Sequence, residues 1–351
     1  MDSADSRRPL ARVLVSPDRI LRTDVGIRPF RPSGFVVRAE ALGDKLLVHN
    51  YGHGGAGVTL SWGTGALAVE EVARSGRTGP STSSGRGPVA VLGCGAVGLA
   101  AARLLQNQGF GVTIYARDLP PATTSNVAGA SWYPHLIADE ARRTPAFNAQ
   151  FERAARLSHP HFLALAGDDY GVTWRDQYFL SDVPDGDPWE ETRLRDLFPD
   201  PRRLEASEHP FGARHVLVDS MIFIDPHIYL AALLRDFRLA GGRINVQSFA
   251  TAADVATLPE PIVVNCTGLG ARELFGDREL TPIKGQLTVL RPQPEVDYAV
   301  VTDEDLYMFP RRDGILLGGT FERGVETGEP DREAERRILE KHQAIFNASR
   351  W

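Results

Sequence analysis

Two periods of hydrophobicity run along the chain, and each change of period marks an element. Val89-Ala90-Val91-Leu92 is an unbroken apolar run of strand length, and Gly93-Cys94-Gly95-Ala96-Val97-Gly98 follows as a glycine turn. Residues 99–106 take up a helical pattern with Gly109 as its stop, and residues 111–115 return to a strand. Strand, turn, helix and strand within about 30 residues read as a dinucleotide-binding unit, the alternative being a glycine-rich turn in some other α/β sheet. The glycines are needed for separate reasons. One makes the tight turn, one lets the backbone approach a pyrophosphate, and one lets the helix pack on the strand. The helix start offers free N–H groups and partial positive charge to phosphate.

Around this unit the pattern predicts a short strand at Arg12-Val13-Leu14-Val15 and an extended segment from Ile20 to Phe30. A strand from Leu46 ends in a glycine-dense loop, and a helix runs from near Thr59 to about Val72. Residues 73–88 are rich in Ser, Gly, Arg and Thr without apolar periodicity, which reads as a flexible linker. Further helices are predicted over 144–158, 229–239 and 332–348, and further strands over 243–249, 287–290, 307–310 and 315–321, with residues 262–271 a buried strand ending in a second glycine turn. Residues 172–218 alternate strands and turns without a strand–helix rhythm, so a separate, mainly antiparallel substrate domain is expected.

Composition narrows the class. The 351 residues carry 39 basic and 45 acidic side chains, a net charge of -6, with no nucleic-acid footprint. No apolar run approaches the ~18 residues of a membrane span. The polar start predicts no secretory leader, and two cysteines, Cys94 and Cys266, make no disulfide framework, so a cytoplasmic protein is expected. His159-x-His161 comes nearest to metal-ligand spacing, but Pro160 is expected to break the helix there. No metal site is predicted.

Candidate chemistry clusters in three places. In Gly26-Ile27-Arg28-Pro29-Phe30-Arg31-Pro32 each proline extends the arginine before it, so Arg28 and Arg31 point to opposite faces and one can enter a cavity. His49-Asn50-Tyr51-Gly52-His53-Gly54-Gly55-Ala56-Gly57-Val58-Thr59 feeds a glycine loop into a helix start, an anion or polar-ring cradle. Asp118, beside Arg117, lies about 20 residues past the glycine turn, where an acid binds ribose hydroxyls. The hydroxyl-rich stretch through Thr124, Ser125, Gly129, Ala130 and Ser131 suits further phosphate or ring contacts.

Together with Asn265-Cys266-Thr267-Gly268, Gly285-Gln286 and Leu316-Leu317-Gly318-Gly319-Thr320-Phe321, these motifs resemble the D-amino-acid oxidase family of FAD enzymes. The resemblance spans nearly the whole chain and implies an α/β fold, a Rossmann-type FAD-binding domain plus a mainly antiparallel α+β substrate domain. The order departs from the family. The Arg28 and His49–Gly57 segments normally come near the C-terminus, after the strand that ends in Gly318-Gly319. The economical explanation is a circular permutation through residues 73–88; an unrelated N-terminal domain is the alternative. The expected division is 11–72 for the displaced FAD and active-site segment, 89–140, 230–275 and 310–351 mainly FAD-binding, and 141–229 and 276–309 mainly substrate-binding.

The family's chemistry is oxidation of a D-amino acid by hydride transfer from Cα to flavin N5. O₂ reoxidises the flavin to give H₂O₂, and the imino acid hydrolyses to a 2-oxo acid and ammonia. By resemblance, Arg28 pairs with the substrate carboxylate, Tyr307 hydrogen-bonds it and the Gly55 carbonyl accepts from the amine. FAD contacts are implied for Gly93, Gly95, Ala96, Val97, Gly98, Arg117, Asp118, Thr124, Ser125, Gly129, Ala130, Ser131, Val246, Thr267 and Gly268. Gly54, Gly55, Ala56, Gly57, Val58 and Thr59 would hold the flavin ring. Tyr133, His135, Phe309 and Asp303 would line the substrate pocket.

The lid tyrosine of mammalian relatives is absent, since Val301-Thr302-Asp303-Glu304-Asp305-Leu306 is short and acidic. If these acids border the pocket, they repel an acidic side chain and favour a neutral, cationic or small cyclic amino acid. Glycine or sarcosine oxidation, a biosynthetic amine oxidation and a non-catalytic flavin protein stay open. The Arg28 and 52–57 segments argue against an NAD-dependent dehydrogenase. Expected partners are a D-amino acid and O₂, with a homodimer as a candidate assembly and neither nucleic acid nor membrane.

Overall fold

The computed structural model describes residues 9–76, 86–129, 131–183, 192–348 and 351. In chain order the first elements are β1 (Ile20–Phe30), β2 (Val36–Leu42), β3 (Lys45–Tyr51), α1 (Ser61–Arg74), β4 (Arg86–Leu92), α2 (Ala96–Asn107) and β5 (Phe110–Ala116). Then come α3 (Pro145–Ala164), β6 (Val172–Ser181), β7 (Arg202–Leu204), β8 (His215–Ile224), α4 (Pro226–Leu239), β9 (Arg243–Val246), α5 (Ala252–Ala256), β10 (Ile262–Asn265) and α6 (Ala271–Leu274). The last are β11 (Thr281–Leu290), β12 (Ala299–Thr302), β13 (Tyr307–Arg311), β14 (Gly314–Gly318), β15 (Glu322–Arg323) and α7 (Arg332–Asn347).

Two sheets organise the chain. One has six strands in the order β2-β3-β10-β4-β5-β9, parallel except for the β2–β3 hairpin. Its central strands β10, β4 and β5 are short and mostly apolar because both faces are covered, whereas the edge strands β2 and β9 carry exposed positions. Val48, Val89, Val91 and Val264 pack with Leu67, Leu99 and Ala102 of α1 and α2, while Leu47, Ala90 and Val263 fill a second cluster on the other face. The second sheet has nine strands, β1-β11-β14-β13-β12-β6-β8-β7 with β15 beside β11, antiparallel except where β6 meets β12. β1 pairs with β11 from Ile20↔Leu290 to Phe30↔Thr281, so the N-terminal segment is woven into both sheets.

Several expectations need correction. Residues 12–15 form no strand. Val13 is 1 % exposed, and the backbone around it is satisfied by side chains: Gln293 Oε1 accepts from Leu14 N at 2.8 Å and Tyr298 donates to Ala11 O at 2.8 Å. Pro160 does not end α3, which continues to Ala164 with Phe151, Ala155 and Phe162 buried on one side. His161 stacks on Trp62 and His159 meets Trp132 edge-on, at 4.8 and 4.6 Å between centroids. Residues 310–348, within the stretch expected to be mainly FAD-binding, do not join the parallel sheet. β14 pairs with β11 and β13, and Ile338, Leu339 and Phe346 of α7 pack on Leu290, Ile315 and Leu317. The linker's two ends are structured, as the end of α1 and the start of β4, and residues 77–85 lie outside the described residues.

Candidate active site

The carboxyl ends of β3, β10, β4 and β5 open into a cavity of about 1520 Å³. Sites for single small ligands span roughly 300–1,000 Å³, so there is room for a dinucleotide and a small substrate together. Gly93 turns the chain out of β4 with φ +103° while its N–H donates to Tyr115 O at 2.8 Å. A side chain at Gly93 would sit 2.5 Å from Cys266 O, and one at Gly98 would sit 2.1 Å from Gly93 O. Both glycines are therefore steric requirements of the turn. The opposing turn after β10 is pinned by Asn265, whose Oδ1 accepts from Thr267 N (3.1 Å) and Thr267 Oγ1 (2.7 Å).

Gly93, Gly95, Val97, Gly98, Arg117, Asp118, Thr124, Ser125, Gly129, Ser131, Thr267 and Gly268 all line this cavity, as do Gly54, Gly55, Gly57, Val58 and Thr59. Arg117 Nε donates to Asp118 at 2.7 Å. Ala56 and Ala96 are buried but are not wall residues, and the Ala96 N–H donates to Ser125 Oγ at 3.0 Å. Val246 ends β9, is 70 % exposed and is not a wall residue, while Gln247, Ser248 and Phe249 beside it are. The strand expected over 243–249 stops there. Ala130 lies outside the described residues.

The other end of the cavity abuts the antiparallel sheet. Arg28 on β1 lays its guanidinium across β11 at Gly285, where a Cβ would be 2.4 Å from Nη1. That Nη1 is buried with no hydrogen-bond partner. Tyr307 on β13 stands directly opposite Gly318 on β14, and its ring fills the space of the missing side chain, 2.0 Å from a would-be Cβ to Cζ. Burial pushes the Tyr307 hydroxyl pKa up, and the neighbouring Arg28, which hydrogen-bonds it, pulls the other way. The glycine loop is tied to this corner, since Gly54 N donates to Pro29 O at 2.9 Å and Gly55 N to Leu136 O at 3.4 Å. Arg31 faces the other way and pairs with Asp277 (2.9 Å) and Glu279. His53, buried against Phe35 and 3.0 Å from Thr64 Oγ1, has its pKa pushed down to about 3 and is neutral.

Tyr133, His135, Phe309 and Asp303 also line the cavity. Phe309 stacks on Tyr307 and meets Phe223 edge-on. Asp303 Oδ2 accepts from Ser181 Oγ at 2.8 Å and Glu304 pairs with Lys341 at 2.7 Å, so two of the three acids are engaged by the protein. Gln177 and Phe179 of β6 are wall residues that no local motif signals. A glycine-built cradle with a helix start at one end, and a buried guanidinium nitrogen with nothing to bind at the other, fit a dinucleotide and a carboxylate.

A family model described as FAD dependent oxidoreductase matches residues 2–71 and 88–350. The D-amino-acid oxidase of Rubrobacter xylanophilus is 33% identical over 261 residues, covering 73% of this chain and 76% of that protein. The D-amino-acid oxidase of Streptomyces coelicolor is 32% identical over 267 residues, 74% of this chain and 78% of that protein. The glycine oxidase of Bacillus cereus shares the fold, with a TM-score of 0.57 at 17% identity over 75% of this chain and 80% of that one. With that match over most of its length, the chain belongs to the FAD dependent oxidoreductase family, and FAD is its cofactor.

Proposed function

We propose that the protein is a D-amino-acid oxidase. The observation that carries this reading is the buried, unpartnered Nη1 of Arg28 in the cavity wall beside the Tyr307 hydroxyl. A fixed guanidinium fork that keeps one nitrogen free is suited to a carboxylate, and burial strengthens that pair. Tyr307 donates to the same carboxylate. The Gly55 carbonyl accepts from the substrate amine. With carboxylate and amine both fixed, the side chain must enter the wall formed by Phe179, Val301, Phe309 and Gln177, and only one enantiomer then presents its Cα–H to the glycine-loop side.

FAD supplies two-electron oxidation of the amine when bound, with O₂ as final acceptor and H₂O₂ as product. The residues that would hold it are the Gly93–Gly98 turn and the α2 start for the pyrophosphate, and Asp118 with Arg117 for the adenosine ribose. Thr124, Ser125, Thr267 and Gly268 take the middle. Val58 and Thr59 stand for the ring, where the α1 start favours negative charge. The imino product leaves for hydrolysis by water to a 2-oxo acid and ammonia. Asp303 and Asp305 in the wall favour a neutral or cationic substrate.

The reading is tested by H₂O₂ and 2-oxo acid release across D- and L-amino acids, glycine and sarcosine. Turnover of neutral or cationic D-forms with none of the L-forms is expected. D-Asp as the best substrate would sink the side-chain assignment, and glycine or sarcosine as the best would move the enzyme to that class.

A further inference from the structure

Asn50 is the least satisfied polar side chain in the cavity wall. It is 0 % exposed, and neither its Oδ1 nor its Nδ2 has a hydrogen-bond partner. A buried primary amide in that state is costly, and native proteins keep one where something outside the chain completes it.

Its position indicates what that is. Side chains alternate along β3: Leu46 and Val48 face the α1/α2 side with Val89 and Val91, and Leu47 faces away with Ala90 and Val263. Asn50 continues the α1/α2 face. The ladder sets His49 beside Asn265, and Asn265 beside Leu92. One step on, Asn50 stands level with Cys266 and Gly93, at the carboxyl edge where open α/β sheets bind ligands. It thus lies between the Gly93–Gly98 turn and the Gly54–Thr59 loop, and it lines the same cavity.

The chemistry narrows the partner further. A primary amide offers two donors and an acceptor, so its partner must both accept and donate. Phosphate only accepts and would leave Oδ1 unanswered. A hydroxyl does both. In FAD the hydroxyls between pyrophosphate and ring are those of the ribityl chain. We propose that Asn50 is a cofactor-binding residue whose amide takes the ribityl hydroxyls of FAD. The inference rests on FAD as cofactor and on the placing of pyrophosphate and ring proposed above, but not on the substrate.

Calorimetric titration of the apoprotein with FAD, and separately with ADP, which lacks the ribityl chain, tests this in wild type, Asn50→Leu and Asn50→Asp. Asn50→Leu should weaken FAD about tenfold or more, the loss of one or two hydrogen bonds, and leave ADP within about twofold. The apoprotein of Asn50→Leu should melt no lower than wild type, because an unanswered amide is replaced by an apolar group of like size. Asn50→Asp, which keeps the shape and loses the donors, should also lower the FAD-to-ADP affinity ratio, and it decides the matter should Asn50→Leu not fold. An unchanged ratio in the variant that folds overturns the proposal. So does equal weakening of both ligands, or an apoprotein melting several degrees lower, which marks an amide satisfied within the chain.

Discussion

Arg28 has no protein partner for Nη1, whereas Arg31 and Arg311 nearby in the fold are paired with carboxylates. Removing one side of a buried charge pair costs roughly 2–5 kcal/mol. Arg28→Ala should therefore lower kcat/KM on the best D-amino acid by about 10²–10³ while the purified protein keeps its FAD absorbance. Arg28→Lys should recover only part of this, since a point charge cannot make the two parallel bonds of the fork. Full activity in Arg28→Ala would remove the carboxylate anchor. Asp219 makes a second prediction, on stability. It is 8 % exposed on β8, and burial pushes its carboxyl up to about 7, with Asp176 adding and Arg195 opposing. The folded chain then binds this proton more tightly than the unfolded chain, whose Asp titrates near ~4. The stability contribution is full below ~4, declines as pH rises towards 7 and is absent above. Asp219→Asn should be more stable than wild type at pH 8, by on the order of 2–4 kcal/mol in urea unfolding, and should lose that advantage by pH 4. Parallel pH profiles for the two proteins would show that Asp219 is not the group responsible.

At the scale of elements, the site depends on which strand faces which. Gly285 on β11 and Gly318 on β14 are clearance positions for Arg28 and Tyr307, side chains that arrive from neighbouring strands. Gly318→Ala should displace the Tyr307 ring and raise KM with FAD content unchanged. Gly98→Ala meets the Gly93 carbonyl at 2.1 Å, a backbone atom that cannot step aside, and should lose FAD instead. FAD stoichiometry and KM measured on both variants separate the two outcomes. This contrast also shows what was legible in the sequence. The Gly93–Gly98 turn, α2 and β1 could be read because their signals are local: a period of 3.6 or 2, a run of glycines, a proline after each arginine. The opposite facing of Arg28 and Arg31 followed from the same local rule. The clearance role of Gly318 could not be read, because it depends on a tyrosine eleven places away in sequence (318 − 307) but directly opposite in the ladder. Gln177 and Phe179 reach the cavity only through the parallel β6–β12 pairing. Residues 12–15 look like a strand by composition, yet their backbone bonds go to side chains of Gln293 and Gln343. Pro160 misled for a related reason: tertiary packing of α3 outweighs one missing hydrogen bond.

At the scale of the whole molecule, we propose that the order of segments reflects a circular permutation, and the contacts argue against an appended domain. An independent N-terminal domain would bury its own core and touch the rest over a limited face. Here β3 is an interior strand between β2 and β10, and β1 runs the length of β11. Val13 shares a cluster with Ile338 and Phe346 of α7, and Arg12 Nη2 donates to Asn347 Oδ1 at 2.7 Å. The start of the described chain and its last helix thus lie side by side, as the proposed permutation requires. A rearranged chain in which residues 86–351 come first, and a short Gly/Ser linker joins them to residues 9–76, should place every strand where it is now. Opening the chain between α1 and β4 breaks no ladder, and the new join spans neighbours already in contact, so the loop-closure cost is small. We expect this chain to bind FAD, to melt within a few degrees of the original and to keep the same preference among amino acids. A rearranged chain that is soluble but takes up no FAD would mean that the present order is itself required to build the cavity, and the permutation reading would fall with it.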